Sequence, residues 1–227
     1  VKSAARIVVL SAPSGGGKTT IARAVREHYP DRFGFSVSAT TRKPRGGERG
    51  ERDGVDYHFW SRAQFQEAVH AGRFLEHAEY AGEHYGTLKA EVEKIVKSGR
   101  HVLLDIEVEG ARQVREQYPP PQSVSIFILP SEPRVLLERL RARKSESEDE
   151  IARRLKRAKH ELKQAKLFDR WIRNDDLDTA VQNVVRIADG AEDIGRRKED
   201  IEWVGAYGPA LQDEAKRFFD TSHQEKG

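Results

Sequence analysis

The segment from Arg6 to His28 constrains this chain more than any other. Ile7–Leu10 is a short apolar, β-branched run, the pattern of a buried strand. It leads into Ala12-Pro13-Ser14-Gly15-Gly16-Gly17-Lys18-Thr19. Lys18–His28 follows, with Ile21, Ala24, Val25 and His28 on one helical face. Strand, glycine-rich turn, Lys-Thr and helix make the phosphate-loop pattern, with Ala12 where the first glycine usually stands. The chemistry needs this spacing. Glycines let successive backbone N–H groups turn inward around an anion. The helix N-terminus adds partial positive charge. Lys18 is placed to reach the β- and γ-phosphates of a nucleoside triphosphate, and the Thr19 hydroxyl to ligate Mg²⁺.

The remaining pattern predicts an α/β fold with a mainly parallel central sheet. Strands are predicted at Phe35–Ser38, Val55–Trp60, Phe74–Tyr80, His101–Ile106, Val124–Leu129 and Arg170–Arg173. Gly82–Gly86 reads as a turn. Ser61 and Gln64 form a capping-box match opening a helix to about Ala71. Further helices are predicted at Thr87–Lys97 with Gly99 as the stop, at Gly110–Gln117 before three prolines, and at Glu132–Lys144. Ser145–Glu148 reads as a break before a long charged helix, Asp149–Phe168, with a last helix at Asp176–Ala188. The strand-rich stretch Val37–Gly86 reads as an inserted, partly antiparallel subdomain. Ala210–Phe219 reads as a helix starting after Pro209, inside a segment whose terminus reads equally well as partly disordered.

Composition narrows the classes. The chain has 227 residues, enough to bury a real core, and no apolar run approaching a membrane span. Lys and Arg (40) nearly balance Asp and Glu (37), so global charge gives no reason to expect nucleic acid as a partner. There is no cysteine, which excludes disulfides, thiolate metal sites and Cys nucleophiles. Val1–Arg6 has no signal-peptide pattern, so a cytoplasmic protein without a membrane partner is expected. No N-K-x-D guanine motif of GTPases is present; Asn174-Asp175-Asp176 lacks the Lys.

Several linked segments point further. Phe35-Ser-Val-Ser38-Ala-Thr-Thr-Arg42-Lys-Pro-Arg45 resembles the monophosphate site of guanylate kinases. So do Asp56-Tyr57-His-Phe59, Phe74-Leu-Glu76, Tyr85-Gly86-Thr87, Leu104-Asp105-Ile106-Glu107 and Asn174-Asp175-Asp176. Ala12-Pro-Ser-Gly15 is similar to a common form of that family's phosphate loop. The resemblance covers about Arg6 to Gly190, in order.

The resemblance implies transfer of the γ-phosphoryl group of ATP to GMP or dGMP, with Mg²⁺. It implies a domain over 1–190, with a core at 1–36 and 88–190, a GMP-binding subdomain at about 37–87 and a lid at about 139–157. ATP would be held by Ala12, Pro13, Ser14, Gly15, Gly16, Gly17, Lys18, Thr19, Thr20 and Asn174. GMP would be held by Ser38, Arg42, Arg45, Tyr57, Glu76, Tyr85, Thr87 and Asp105. Catalysis would rest on Lys18 and Arg42 with the lid arginines Arg139, Arg143 and Arg154. Arg42 and Arg45 suit a phosphate because guanidinium forks bind it bidentately, and Tyr57 and Tyr85 offer hydroxyls. A carboxylate at Glu76 accepts both the N1–H and the exocyclic amine of guanine, a pair adenine lacks; Ser38 and Thr87 match hydroxyls that read O6. Asp105 would serve either Mg²⁺, through water, or GMP. No general base is required, since the acceptor is an ionised phosphate oxygen.

The loop Gly46–Gly54 is a few residues longer than the usual family form, and Ala191–Gly227 has no family counterpart. Trp203, Val204, Tyr207, Leu211, Phe218 and Phe219 would dock that extension on the body or on a second subunit; monomer and homo-oligomer both stay open. Two other functions stay open: a protein-binding module that has lost catalysis, and a kinase for another phosphorylated acceptor.

Overall fold

The computed structural model describes residues 4–46, 50–80, 82–141 and 148–224. The chain is α/β, with a five-stranded central sheet of order β2-β7-β1-β8-β9 and a second sheet of order β4-β3-β6-β5. It divides into two compact units, one of Val1–Val9 with Val25–Val124, the other of Leu10–Ala24 with Ser125–Gly227.

In the first unit, β1 (Ile7–Ser11) begins where Ile7 N donates to Gln122 O and Val102 N to Arg6 O. β2 (Phe33–Phe35) pairs in parallel with β7 (His101–Asp105), Phe33 opposite His101. The second sheet comprises β3 (Ala39–Thr40), β4 (His58–Phe59), β5 (Phe74–Tyr80) and β6 (Glu83–Leu88). β3 runs parallel to β4 and antiparallel to β6, and β6 runs antiparallel to β5. α2 (Arg62–His70) covers it, opened by the predicted capping box: Gln64 N donates to Ser61 Oγ and Ser61 N to Gln64 Oε1. Phe65 stacks on Phe74 with ring centroids 4.4 Å apart, in a core with Ala39 and Ala68. α3 (Lys89–Lys97) and α4 (Val108–Gln117) complete this unit.

Four expectations fail here. The strand predicted at Phe35–Ser38 lies at Phe33–Phe35, and a separate short strand takes Ala39–Thr40. Only His58–Phe59 of Val55–Trp60 is strand. Asp53 and Gly54 impose a turn instead, with Gly54 N donating to Tyr57 O and Phe59 N to Asp53 Oδ1. Of Gly82–Gly86 only Gly82 is a turn residue; Glu83–Gly86 forms most of β6. Gly86 is glycine for space: a Cβ there would meet the Phe74 ring at 2.7 Å. Thr87 consequently pairs with Glu76 in the ladder, and helix begins only at Lys89.

In the second unit, β8 (Ser123–Leu129) pairs in parallel with β9 (Arg170–Arg173), Ile126 opposite Arg170. α1 (Lys18–His28) starts on the predicted residue. α5 (Pro133–Arg141), α6 (Glu148–Gln164) and α7 (Leu177–Ala188) follow, α7 capped by Asp176, which accepts from Thr179 N at 2.8 Å. The predicted long helix to Phe168 gives way to a 3-10 turn at 165–167. The break predicted at Ser145–Glu148 lies largely outside the described residues.

The extension forms α8 (Lys198–Gln224), which runs through Pro209 instead of starting after it. Val204, Tyr207, Leu211 and Ala215 are buried on one continuous face that spans the proline. Gly205 stands four residues before Pro209, and nothing lies within 4 Å of where its Cβ would be, so no side chain crowds the helix at that point. Packing therefore outweighs the lost hydrogen bond. The side chains of Phe218 and Phe219 lie outside what is described.

Candidate active site

The phosphate loop takes its shape from its glycines. Gly15 and Gly17 have φ of 84° and 94°, a region that suits glycine alone. Gly16 N donates to Pro13 O at 2.8 Å, closing the turn. A Cβ on Gly16 would sit 2.7 Å from the Ala12 Cβ, so the bare Gly16 is what makes room for the buried alanine. Thr19 and Thr20 are exposed in the first turn of α1, which carries no acidic residue to compete for an anion.

Three side chains from later elements reach this loop. Asn174, buried at the end of β9, donates from Nδ2 to Gly16 O at 2.8 Å. Arg139 on α5 donates from Nη2 to Asn174 O at 3.2 Å, and its Cβ lies 3.4 Å from where a Cβ on Gly15 would be. Arg154 on α6 donates to Leu140 O at 2.5 Å and to Ser14 Oγ at 2.9 Å. Two of the three expected lid arginines thus meet the loop or its partners. Arg143 lies outside the described residues.

The expected monophosphate residues lie in the first unit. Arg42 is the hub. Its Nη1 and Nη2 donate to Glu51 Oε2 and Oε1 at 2.8 and 2.7 Å. Its guanidinium lies 5.4 Å from the Tyr57 ring centroid and 5.9 Å from that of Phe59. The Tyr57 and Tyr85 rings meet edge-on at 6.1 Å. The hydrogen bond to Glu51 holds the Arg42 guanidinium above the ordinary arginine range, against the opposing effect of burial, with Tyr85 adding. The bond from Arg42 likewise holds the Glu51 carboxyl below the carboxylate range, although burial opposes it. Arg45 contributes its backbone N–H to Glu51 Oε2 at 2.9 Å while its side chain is exposed. One carboxylate therefore holds the Arg42 guanidinium expected to hold a phosphate. Glu51 was not anticipated: it belongs to the long polar loop, and no local pattern separates it from its charged neighbours.

Glu76, buried in β5, accepts from Thr87 Oγ1 at 2.6 Å. Two of the three residues expected to read guanine, Glu76 and Thr87, are thus a bonded pair. Ser38 is half-buried just before β3, and Asp105 is exposed at the end of β7. Among the described residues no three His, Cys, Asp or Glu converge as a metal cluster, and no helix is long and apolar enough to cross a membrane.

The guanylate kinase family model matches residues 4–190. A guanylate kinase of Nostoc sp. is 46% identical over 179 residues, 79% of this chain and 87% of the relative. One from Synechococcus sp. strain CC9311 is 48% identical over 79% of this chain and 91% of its own length. The crystal structure of guanylate kinase from Anaplasma phagocytophilum superimposes with a TM-score of 0.64 at 31% identity, covering 88% of this chain and 95% of the other. The chain belongs to the guanylate kinase family.

Proposed function

We propose that this chain transfers the γ-phosphoryl group of ATP to GMP, or to dGMP, giving ADP and GDP. The observation that carries the reading is the buried Glu76 carboxylate with Thr87 bonded to one oxygen. A carboxylate so held offers two acceptors in a fixed plane, which matches the N1–H and amine edge of guanine and rejects adenine.

Lys18 and the backbone N–H groups of the loop from Ser14 to Thr20 bind the triphosphate, with Asn174 and Arg139 framing the loop. Arg42, Arg45, Tyr57 and Tyr85 hold the GMP phosphate, displacing Glu51 from the shared donors, and Ser38 and Asp105 border the same nucleotide. Arg139, Arg143 and Arg154 supply positive charge to the moving phosphoryl group and exclude water. Thr19 offers an exposed hydroxyl, a hard oxygen donor of the kind Mg²⁺ takes. Phosphate oxygens and water would fill most of that shell. Bound Mg²⁺ would neutralise charge on the β- and γ-oxygens. These substrates place the work in the cytoplasm. The acceptor is already ionised, so alignment and electrostatics suffice.

The test is product analysis of a mixture of ATP, GMP and Mg²⁺ with the protein. ADP and GDP should appear in equal amounts. Binding of GMP with no GDP formed would favour a non-catalytic module instead.

A further inference from the structure

β5 breaks its own ladder next to Glu76. Phe74 pairs with Leu88, but Glu76 pairs with Thr87, so Leu75 is an extra residue on the β5 side. This is a β-bulge, a device that re-aims a side chain. Burial records its effect: Phe74, Leu75 and Glu76 are all buried, where a regular strand would alternate. The bulge turns the carboxylate inward.

β5 is also an edge strand, so backbone groups on its outer side have no strand to meet. α4 supplies partners there. Gln117 Nε2 donates to the Leu75 carbonyl at 2.6 Å, on the bulged residue itself. Gln113 bonds twice to His77: His77 N donates to Gln113 Oε1 at 3.0 Å, and Gln113 Nε2 donates to His77 O at 3.1 Å. The two amides imitate a neighbouring strand on either side of Glu76. Gly110 lies on the same helical face, three and seven residues before them. A Cβ on Gly110 would stand 2.8 Å from Glu76 Oε2, so the carboxylate rests against bare backbone in the first turn of α4. That end of the helix favours its negative charge.

We propose that Gly110, Gln113 and Gln117 form one cradle on α4 that sets the angle of the Glu76 carboxylate and so fixes guanine selectivity. This rests on the assignment of Glu76 as the guanine reader. Gln117 and Gln113 pin the backbone before and after Glu76, Gly110 leaves space for Oε2, and Thr87 holds Oε1. The three are positioning residues. None is assigned to touch the nucleotide.

The experiment compares GMP with IMP, which lacks the exocyclic amine and so needs only one Glu76 oxygen. Wild type, Gln117→Leu, Gln113→Ala and Gly110→Ala are assayed with each acceptor at saturating ATP, and KM for ATP is measured alongside. A carboxylate shifted by a few tenths of an ångström should lower the GMP-over-IMP ratio of kcat/KM about 10-fold, with KM for ATP unchanged. An unchanged ratio, or a parallel loss on GMP, IMP and ATP, overturns the cradle. If the glutamine variants lose their cooperative melting transition, Gly110→Ala decides alone, because it removes no hydrogen bond. Wild type that uses GMP and IMP equally well refutes the Glu76 assignment instead.

Discussion

Arg154→Ala separates catalysis from stability on the donor side. Arg154 spans two acceptors, Leu140 O at 2.5 Å and Ser14 Oγ at 2.9 Å, so it ties α6 both to the end of α5 and to the phosphate loop. Losing both bonds costs about 1–3 kcal/mol, since partly solvated hydrogen bonds contribute about 0.5–1.5 kcal/mol each. For a chain of this size that lowers Tm by roughly 2–12 °C. The catalytic loss should be larger. A preorganised donor facing the charge of a transferring group accounts for about 2.7–4 kcal/mol, or roughly 100- to 1000-fold in kcat. KM for GMP should hardly move. Arg154→Lys keeps the charge but cannot bridge both acceptors, and should recover only part of the rate. Ser14→Ala removes the loop contact alone, one charge-assisted hydrogen bond, and should cost about 10-fold. Stopped-assay kcat values for the four proteins, with melting curves, test this. A kcat for Arg154→Ala within a few-fold of wild type would refute the electrostatic role.

Three further outcomes follow from single contacts. Glu76→Gln should lower kcat/KM for GMP roughly 10- to 100-fold, as one charge-assisted pair of hydrogen bonds is lost, and leave KM for ATP alone; unchanged GMP kinetics would sink the assignment. Gly17→Ala forces a side chain into φ 94° and puts its Cβ 2.1 Å from Asn174 Nδ2, so stabilisation by ATP in a thermal-shift titration should vanish. At Asp200 burial pushes the carboxyl up, but Arg173 and Arg197 together hold it below the ordinary range. Its contribution is therefore full above the unfolded Asp value of about 3.9 and is lost as pH falls through the lower folded value. Asp200→Asn should lower Tm at pH 7 by a few degrees, a modest effect because Arg173 is partly exposed; the gap from wild type should persist at pH 5 and close in stronger acid. A gap independent of pH would contradict the pairing.

Most strands and helices were legible because their periodicity is local. β5, β9 and the start of α1 lie on the predicted residues. β6 was not legible because a glycine signals a turn and a close approach in the same way; only the Phe74 ring beside Gly86 tells them apart. α8 was misread at Pro209 because its stability comes from a buried face, not from propensity. In the site, residues inside motifs such as Ser14 and Arg154 are legible, but supporting partners such as Glu51, Gln113 and Gln117 are not. Gln113 reaches His77 across 36 residues, and even the contact between Arg154 and Ser14 closes across 140. No spacing rule anticipates contacts that exist only after the chain has folded.

The central claim is that a phosphate loop and a guanine-reading carboxylate serve one phosphoryl transfer. The most direct measurement is ADP release from ATP-Mg²⁺ with GMP, dGMP, IMP, AMP and UMP supplied separately. Rapid turnover with GMP and dGMP, weak turnover with IMP and none with AMP or UMP is the predicted result. Comparable rates with AMP, or no turnover with any acceptor, would contradict it.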